Sequence, residues 1–210
     1  MAGTRQVMIP CAREGCHYAR IDPLKGVVSP GILSLPFATN GVCGLKIELS
    51  DYQSVWPTRF EAEKALLLRI ANPWTYGGVE HVGSTAVVGM VTKPIIDIML
   101  GVRDLESSKP AIEVLEAHEY CYYPYREGEM HWFCKPSTER RTHHLHLVPF
   151  KSALWEARIR FRDALRSQPA VAQRYTELKR RLVESSRGDR EKYTEMKGPF
   201  IQSVLQSLTA

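Results

Sequence analysis

The sequence predicts an α+β protein with a mixed α/β sheet and a helical C-terminal third. Residues 56–70 place apolar side chains at helical spacing, and residues 79–148 contain several short aliphatic or aromatic segments of strand type. After Pro149 the pattern is helical to the end of the chain. The predicted order is therefore a helix, mixed strands with a helix inserted among them, and then helices.

Two regions of the 210 residues differ in composition. Residues 1–44 hold many prolines and glycines with little periodicity, which predicts an irregular N-terminal extension. Residues 45–210 carry the periodic segments and are predicted to form a single domain.

The first half of this domain predicts one helix, three strands and a turn. The helix begins at Trp56 and Pro57, since proline suits the first helical position. Phe60, Leu67 and Ile70 then share one face, which must pack against the sheet. The other predicted elements are strands at Leu45–Leu49, Val79–Val82 and Pro94–Leu100, with the turn at Gly83-Ser84-Thr85.

The second half predicts three further strands and the helical third. A short helix is predicted at Pro110–His118, followed by strands at Tyr120–Tyr123, His131–Cys134 and His144–Val148. Pro169 and Pro199 then mark helix breaks or helix starts.

Neither a membrane span nor a secretion signal is expected. The apolar window Lys93–Gly101 is far shorter than the roughly 20 residues that a membrane helix needs. The first residues, MAGTRQVMIPCAREGC, lack the continuous apolar core of a signal peptide. We therefore expect a cytoplasmic protein with no membrane partner.

The positive charge lies in the C-terminal third. Residues 151–210 carry 13 lysines and arginines against 7 acidic residues, whereas the whole chain has a net charge of +5. Such a surface suits a polyanion. A solvated helix face rich in arginine is an alternative explanation.

Asp97 stands alone in an aliphatic strand. Strand alternation places it on one face with Ile95 and Met99, while the opposite face is aliphatic. A buried carboxylate needs a cation, a hydrogen-bond donor or a shifted pKa, so Asp97 is either half of an ion pair or part of a site. The same alternation puts His144 and His146 on one face of their strand, where they suit proton transfer, metal ligation or anion contact. They also suit a structural role at a sheet rim.

The Gly83-Ser84-Thr85 turn offers two hydroxyl groups and backbone N–H groups. Such a turn receives phosphate or carboxylate groups well, and Gly83 permits a tight backbone. Ser84 also suits a simple helix cap.

Several separated motifs occur in order along the chain. The central motif is Glu80-His81-Val82-Gly83-Ser84-Thr85, then Gly89 and Lys93-Pro94-Ile95-Ile96-Asp97-Ile98; the outer ones are Tyr52, Trp56-Pro57, His144-Leu145-His146, Phe161-Arg162-Asp163, Tyr175 with Lys179, and Tyr193 with Lys197. Together they resemble the motifs of the GrpB-like family, a branch of the nucleotidyltransferase fold superfamily. The resemblance covers the chain from about residue 45 to the end.

The resemblance implies a nucleotidyltransferase-like fold. In that superfamily a Gly-Ser turn holds nucleotide phosphates, and two carboxylates two residues apart hold metals. Asp97 matches the first carboxylate, but Met99 occupies the second position, and methionine does not replace a hard oxygen ligand of magnesium. We therefore expect no metal and no other cofactor.

A second resemblance is to fungal arginine-containing cyclodipeptide synthases. It rests on chain size, the extension before Leu45 and the basic C-terminal third. It implies arginyl-tRNA and a second charged tRNA as partners, with no DNA. The implied roles are catalysis by Asp97, Ser84, His144 and His146, substrate binding by Glu80, Gly83, Thr85 and Lys93, and RNA binding by Arg158, Arg162, Lys179, Arg180 and Arg181.

Two other functions stay open at this point. One is a metal-dependent nucleotidyltransferase in which Glu80, His144 or His146 completes a metal site. The other is a noncatalytic module that binds a small ligand or RNA. In that case Asp97 would only form an ion pair with Lys93, and the arginines would only lie on a solvent-exposed helix face.

Overall fold

The computed structural model describes residues 47–208. The predicted extension at residues 1–44 lies outside the described residues, and the 45–210 domain boundary stays a prediction. The helices and strands are α1 (Val55–Ile70), β1 (Val79–Val82), β2 (Ile96–Val102), α2 (Leu105–Ser108), α3 (Ala111–Glu116), β3 (Cys121–Tyr123), β4 (His131–Pro136), β5 (Arg141–Pro149), α4 (Ala153–Ser167), α5 (Pro169–Ser186), α6 (Arg190–Glu195) and α7 (Gly198–Ser207).

The five strands form one mixed sheet in the order β1-β2-β5-β4-β3. Strands β2 and β5 are parallel, and the other neighbouring pairs are antiparallel. The parallel pair requires a crossover, which the chain makes through α2, α3 and the β3–β4 hairpin. The predicted α+β class, mixed sheet and helical C-terminal third are confirmed.

One face of the sheet packs against α1 and α3. Ile98 and Leu145 project from neighbouring strands, and Trp56, Phe60 and Leu67 of α1 pack on them, all buried. The predicted α1 face is therefore confirmed. Because this face takes the aliphatic side chains of β2 and β5, the alternate residues of both strands point to the opposite face.

A buried polar network joins α1 to the sheet edge. The carboxylate of Glu63 accepts hydrogen bonds from the Tyr120 hydroxyl at 2.7 Å and from Lys135 Nζ at 2.8 Å. Burial alone would raise the pKa of Glu63, but these two donors and the charge of Lys135 hold it below its ordinary value. The network thus keeps a charge inside the helix–sheet interface.

The C-terminal helices form a second core over residues 84–91. Val87 and Met90 of that loop pack with Leu165 of α4, Tyr175 of α5 and Val204 of α7. Helix α4 also contacts β1 and β5. The helical third is therefore positioned on the sheet face opposite α1.

The strand predicted at Leu45–Leu49 is not found in its described residues, and several other predicted elements begin or end elsewhere. Residues 47–49 form no strand; Ser50 makes an isolated antiparallel bridge with Thr92 through backbone bonds of 2.8 and 2.9 Å. Leu45 lies outside the described residues. The strand predicted at Pro94–Leu100 begins at Ile96 and continues to Val102. Within residues 47–208, no helix has the length and apolarity to span a bilayer.

Candidate functional site

A polar recess around Asp97 lies on the sheet face opposite α1. Asp97 pairs with Val82 across the antiparallel β1–β2 ladder and with His144 across the parallel β2–β5 ladder. Its side chain keeps 31% of its surface exposed, so it is open to a ligand. The predicted shared face of His144 and His146 is confirmed, and the parallel register places Asp97 on the same face of the sheet.

Asp97 and His144 form a hydrogen-bonded pair. His144 Nδ1 lies 2.9 Å from Asp97 Oδ1. Burial would raise the pKa of Asp97, but the hydrogen bond from His144 and the positive charge of Lys93 help to lower it below its ordinary value. An ionised Asp97 accepts from Nδ1–H, which leaves the lone pair on Nε2. That Nε2 is buried and has no hydrogen-bond partner within residues 47–208.

The turn before the recess requires glycine at position 83. Gly83 has φ 69° and ψ −172°, a conformation that is essentially restricted to glycine. A Cβ there would overlap the Asp97 carboxylate and lie 2.9 Å from the Asp97 Cβ. Instead of a regular helix, a three-residue 3₁₀ turn over Ser84–Ala86 follows. The backbone can therefore approach Asp97 closely.

Ser84 and Thr85 are both buried. The Ser84 hydroxyl interacts with the phenol of Tyr175. The Thr85 hydroxyl donates to the Ile95 carbonyl at 3.2 Å, so its oxygen accepts from His81 Nε2–H at 3.0 Å. Thr85 was predicted to bind substrate, but its side chain is used to join β1 to the segment before β2.

His81 is held neutral beneath the turn. Its ring stacks on Phe60 with ring centres 4.7 Å apart. Burial lowers its pKa to about 4, and the charges of Arg166 and Arg162 act in the same direction, although Asp97 opposes them. Protonation would place a buried charge between α1 and the sheet.

Acidification is expected to destabilise the fold through His81. Its pKa is about 4 in the folded protein and 6.5 ordinarily, so only the unfolded chain takes up this proton between those values. The free energy of unfolding should fall by about 3 kcal/mol from this group as pH drops through the window. Urea unfolding of the wild type and of His81→Gln from pH 7 to 4 measures this change in the free energy of unfolding. If that free energy depends on pH equally in the two proteins, His81 is not the cause.

Lysines from three segments surround the recess. Burial lowers the pKa of Lys179 to about 7 and that of Lys197 to about 8, and it also lowers the pKa of Lys93. Lys179 Nζ donates to the Val91 carbonyl and lies 5.0 Å from the Tyr175 ring centre. The recess is therefore enriched in cations around a single carboxylate.

His146 and Arg158 lie deeper on the same face. His146 Nδ1 is 3.3 Å from the sulfur of Met130, and Arg158 Nη2 is 3.7 Å from that sulfur. Burial holds the pKa of His146 well below its ordinary value, so this ring is neutral. Of the two histidines predicted to transfer protons, His144 alone has the Asp97 hydrogen bond.

Several predicted ligand contacts are occupied by protein partners. Glu80, predicted to bind a guanidinium, accepts from Arg162 Nη1 at 2.6 Å, with the Glu80 side chain 39% exposed. Of the predicted RNA-binding residues, Arg162 and Lys179 are buried, which removes them from an RNA surface. Arg158 is half-buried, whereas Arg180 and Arg181 are exposed.

Tyr175, Tyr193 and Lys197 complete the recess but were not among the predicted site residues. All three were noted only as parts of family-like motifs, Tyr175 with Lys179 and Tyr193 with Lys197. Both motifs space their residues four apart. Tyr175 and Lys179 lie on one face of α5, whereas Lys197 follows the end of α6, which carries Tyr193. The repeated tyrosine–lysine spacing was the available signal.

The donor set does not fit a two-metal centre. Met99, at the position of the second carboxylate, is fully buried. Within residues 47–208, no group of three His, Cys, Asp or Glu side chains is arranged to hold a metal. A soft thioether does not substitute for a carboxylate oxygen at magnesium.

The fold and recess define an α+β protein with a five-stranded mixed sheet, whose carboxylate–histidine pair adjoins a glycine turn and buried lysines. The chain belongs to the GrpB family: residues 46–207 match the family described as GrpB protein. A crystal structure of the conserved protein GrpB from Enterococcus faecalis superimposes with a TM-score of 0.68 at 30% identity. That match covers 76% of this chain and 96% of the Enterococcus chain.

Curated bacterial relatives agree with this assignment. Glutamate-rich protein GrpB of Alkalihalophilus pseudofirmus is 32% identical over 174 residues, covering 80% of this chain and 99% of the relative. UPF0157 protein PA4798 of Pseudomonas aeruginosa is 34% identical over 76% of this chain and 66% of the relative. UPF0157 protein YqkA of Bacillus subtilis is 29% identical, and the match spans 46% of its length.

Proposed function

We propose that the protein is an aminoacyl-tRNA-dependent transferase that forms an arginine-containing cyclic dipeptide. The observation that carries this proposal is the geometry of His144: Asp97 holds its Nδ1, and its buried Nε2 has no hydrogen-bond partner within residues 47–208. A histidine oriented by a carboxylate and free at its other nitrogen is suited to general acid–base catalysis. Aminolysis of an ester requires such a group and requires no metal.

The first proposed step forms a peptide bond. The amino group of the acceptor attacks the ester carbonyl of the donor, a C–N bond forms, and the C–O bond to the ribose breaks. His144 Nε2 takes the proton from the attacking amine and returns it to the departing ribose oxygen. The backbone N–H groups of the turn at Gly83-Ser84-Thr85, which adjoins Asp97, offer donors to the carbonyl oxygen as negative charge develops.

The second proposed step closes the ring. The amino group of the dipeptidyl ester attacks the remaining ester carbonyl, a C–N bond forms and the C–O bond to the second ribose breaks. His144 Nε2 takes the proton from the attacking amine and passes it to the departing ribose oxygen. One pair of residues thus serves both steps, because each is an aminolysis of the same kind of ester. Holding the reacting groups together supplies much of the rate.

Two features support the choice of substrates. Glu80 holds Arg162 through Oε2, so its other carboxylate oxygen is available to an arginyl guanidinium. Glu80 is diagonal to Asp97 on the sheet, within reach of a long side chain. Arg180 and Arg181, exposed on α5, offer positive charge to a tRNA backbone.

Reconstitution with charged tRNA tests the proposal. Purified protein is incubated with arginyl-tRNA and a mixture of other aminoacyl-tRNAs, and small products are identified by mass spectrometry. We expect an arginine-containing cyclic dipeptide that disappears with RNase and persists with EDTA. His144→Asn should reduce its formation by about a hundredfold or more.

The matched control is His143→Asn, the neighbouring histidine on the opposite sheet face. It should leave product formation within about twofold. Product that instead requires a nucleoside triphosphate and divalent metal would favour nucleotidyl transfer. Ligand binding without any turnover would favour a noncatalytic module.

A further inference from the structure

Two lysines from distant segments lie against one tyrosine ring beside the recess. Lys93 Nζ, from the segment before β2, is 5.0 Å from the Tyr193 ring centre. Lys197 Nζ, from the link between α6 and α7, is 4.6 Å from the same centre. Tyr193 is 1% exposed, so the ring is a fixed support. We call Lys93, Tyr193 and Lys197 the lysine clamp.

The clamp lacks a neutralising partner of its own. Among residues 47–208, no carboxylate lies within ion-pairing distance of Lys93 or Lys197. Asp97 is near enough to act on both lysines electrostatically, but its Oδ1 is engaged by His144. Lys93 and Lys197 are both half-buried, and desolvated cations are normally paired, so two of them sharing one engaged carboxylate leave excess positive charge.

Further positive charge lies at the rim of the clamp. Arg190 at the start of α6 and Arg141 at the start of β5 both act electrostatically on Lys93. Like Lys93, they have no carboxylate at ion-pairing distance in the described part of the chain. Lys93 thus lies within electrostatic range of three other cations, Lys197, Arg190 and Arg141, from three other segments.

We propose that the lysine clamp binds a phosphate group of the substrate next to the Asp97–His144 pair. This rests on the proposed function, in which the group is the phosphodiester preceding the 3′-terminal nucleoside that carries the aminoacyl ester. A phosphate matches the clamp because ammonium groups from two directions can donate to different oxygens. Anchoring it places the adjoining ester beside His144.

Titration of Lys197 agrees with this role. Burial lowers its pKa to about 8 and the charge of Lys93 acts in the same direction, while Asp97 opposes both. Lys93 is influenced in turn by Asp97, Arg190 and Arg141. A lysine charges below its pKa, so phosphate binding should weaken as pH rises through about 8.

Pyrophosphate binding measured by calorimetry in EDTA tests the clamp without requiring turnover. We expect the wild type to bind at low salt, and Lys93→Met and Lys197→Met to bind at least tenfold more weakly. Lys192→Met, an exposed lysine on α6, is the matched control and should bind like the wild type. Lys197→Arg keeps the charge and should retain binding if Lys197→Met fails to fold.

Two further probes identify the source of the phosphate. A CCA trinucleotide that binds the wild type and loses affinity in Lys197→Met supports an RNA phosphodiester. ATP binding with the same loss but no CCA binding would overturn the RNA source. Pyrophosphate binding that is unchanged in both folded methionine variants would overturn the clamp itself. If the clamp binds but charged tRNA gives no dipeptide, the proposed function fails and the phosphate site stands.

Discussion

Replacing Asp97 with asparagine is expected to reduce cyclic dipeptide formation by about 10²- to 10⁴-fold. The Asp97 carboxylate accepts from His144 Nδ1 and leaves the lone pair on Nε2. An asparagine NH₂ group in that position donates to Nδ1 and favours the tautomer with its proton on Nε2, which cannot accept a proton. Product yield from charged tRNAs, measured at equal concentrations of folded protein, gives the effect.

The control for Asp97→Asn is Asp51→Asn, which changes an exposed carboxylate outside the recess. Circular dichroism and thermal unfolding of both variants separate a chemical defect from a folding defect. Full turnover by folded Asp97→Asn would refute the proposed role of the Asp97–His144 pair in proton transfer. Loss of folding in Asp97→Asn would assign Asp97 a structural role instead.

Removing the Glu63 side chain is expected to give the largest loss of stability, about 3 kcal/mol or more. Glu63→Ala leaves Lys135 as an uncompensated cation whose side chain is only 13% exposed, and it removes the acceptor of the Tyr120 hydroxyl. Both losses occur inside the interface between α1 and the sheet. The free energy of unfolding from urea titration at pH 7 measures the effect.

Glu61→Ala provides the comparison for Glu63. Glu61 lies two positions earlier on the same helix, with its side chain 65% exposed and paired only with Lys64. Its replacement should change the free energy of unfolding by about 0.5 kcal/mol or less. A loss in Glu63→Ala no greater than this would show that the buried network contributes little.

Most strands of the sheet, and the strand faces that carry Asp97 and His144, were predictable from sequence because they follow from strand periodicity. Alternation alone assigned Asp97 and His144 to polar faces of their strands. It could not supply the parallel register that places them opposite each other, because register depends on how β2 and β5 meet in space.

The parts that sequence reasoning missed depend on contacts between distant segments. Glu80 was predicted to be free for substrate, but Arg162, 82 residues later, occupies one of its oxygens. Sequence alone gives no sign that Glu63 is buried. In the structure it accepts hydrogen bonds from Tyr120 and Lys135. Local sequence patterns do not show which charged side chains come into contact, because those contacts depend on how the helices pack on the sheet.

The separation of Lys93 and Lys197 along the chain has a consequence for synthesis. During translation the sheet strands emerge before α6 and α7, so β-sheet pairing can precede assembly of the lysine clamp. Repulsion between the two ammonium groups is therefore incurred only when the last helices dock. If the proposed function holds, a nascent chain carries a formed Asp97–His144 pair while still lacking the clamp, and we expect it to stay inactive toward the charged tRNAs that serve the same ribosome.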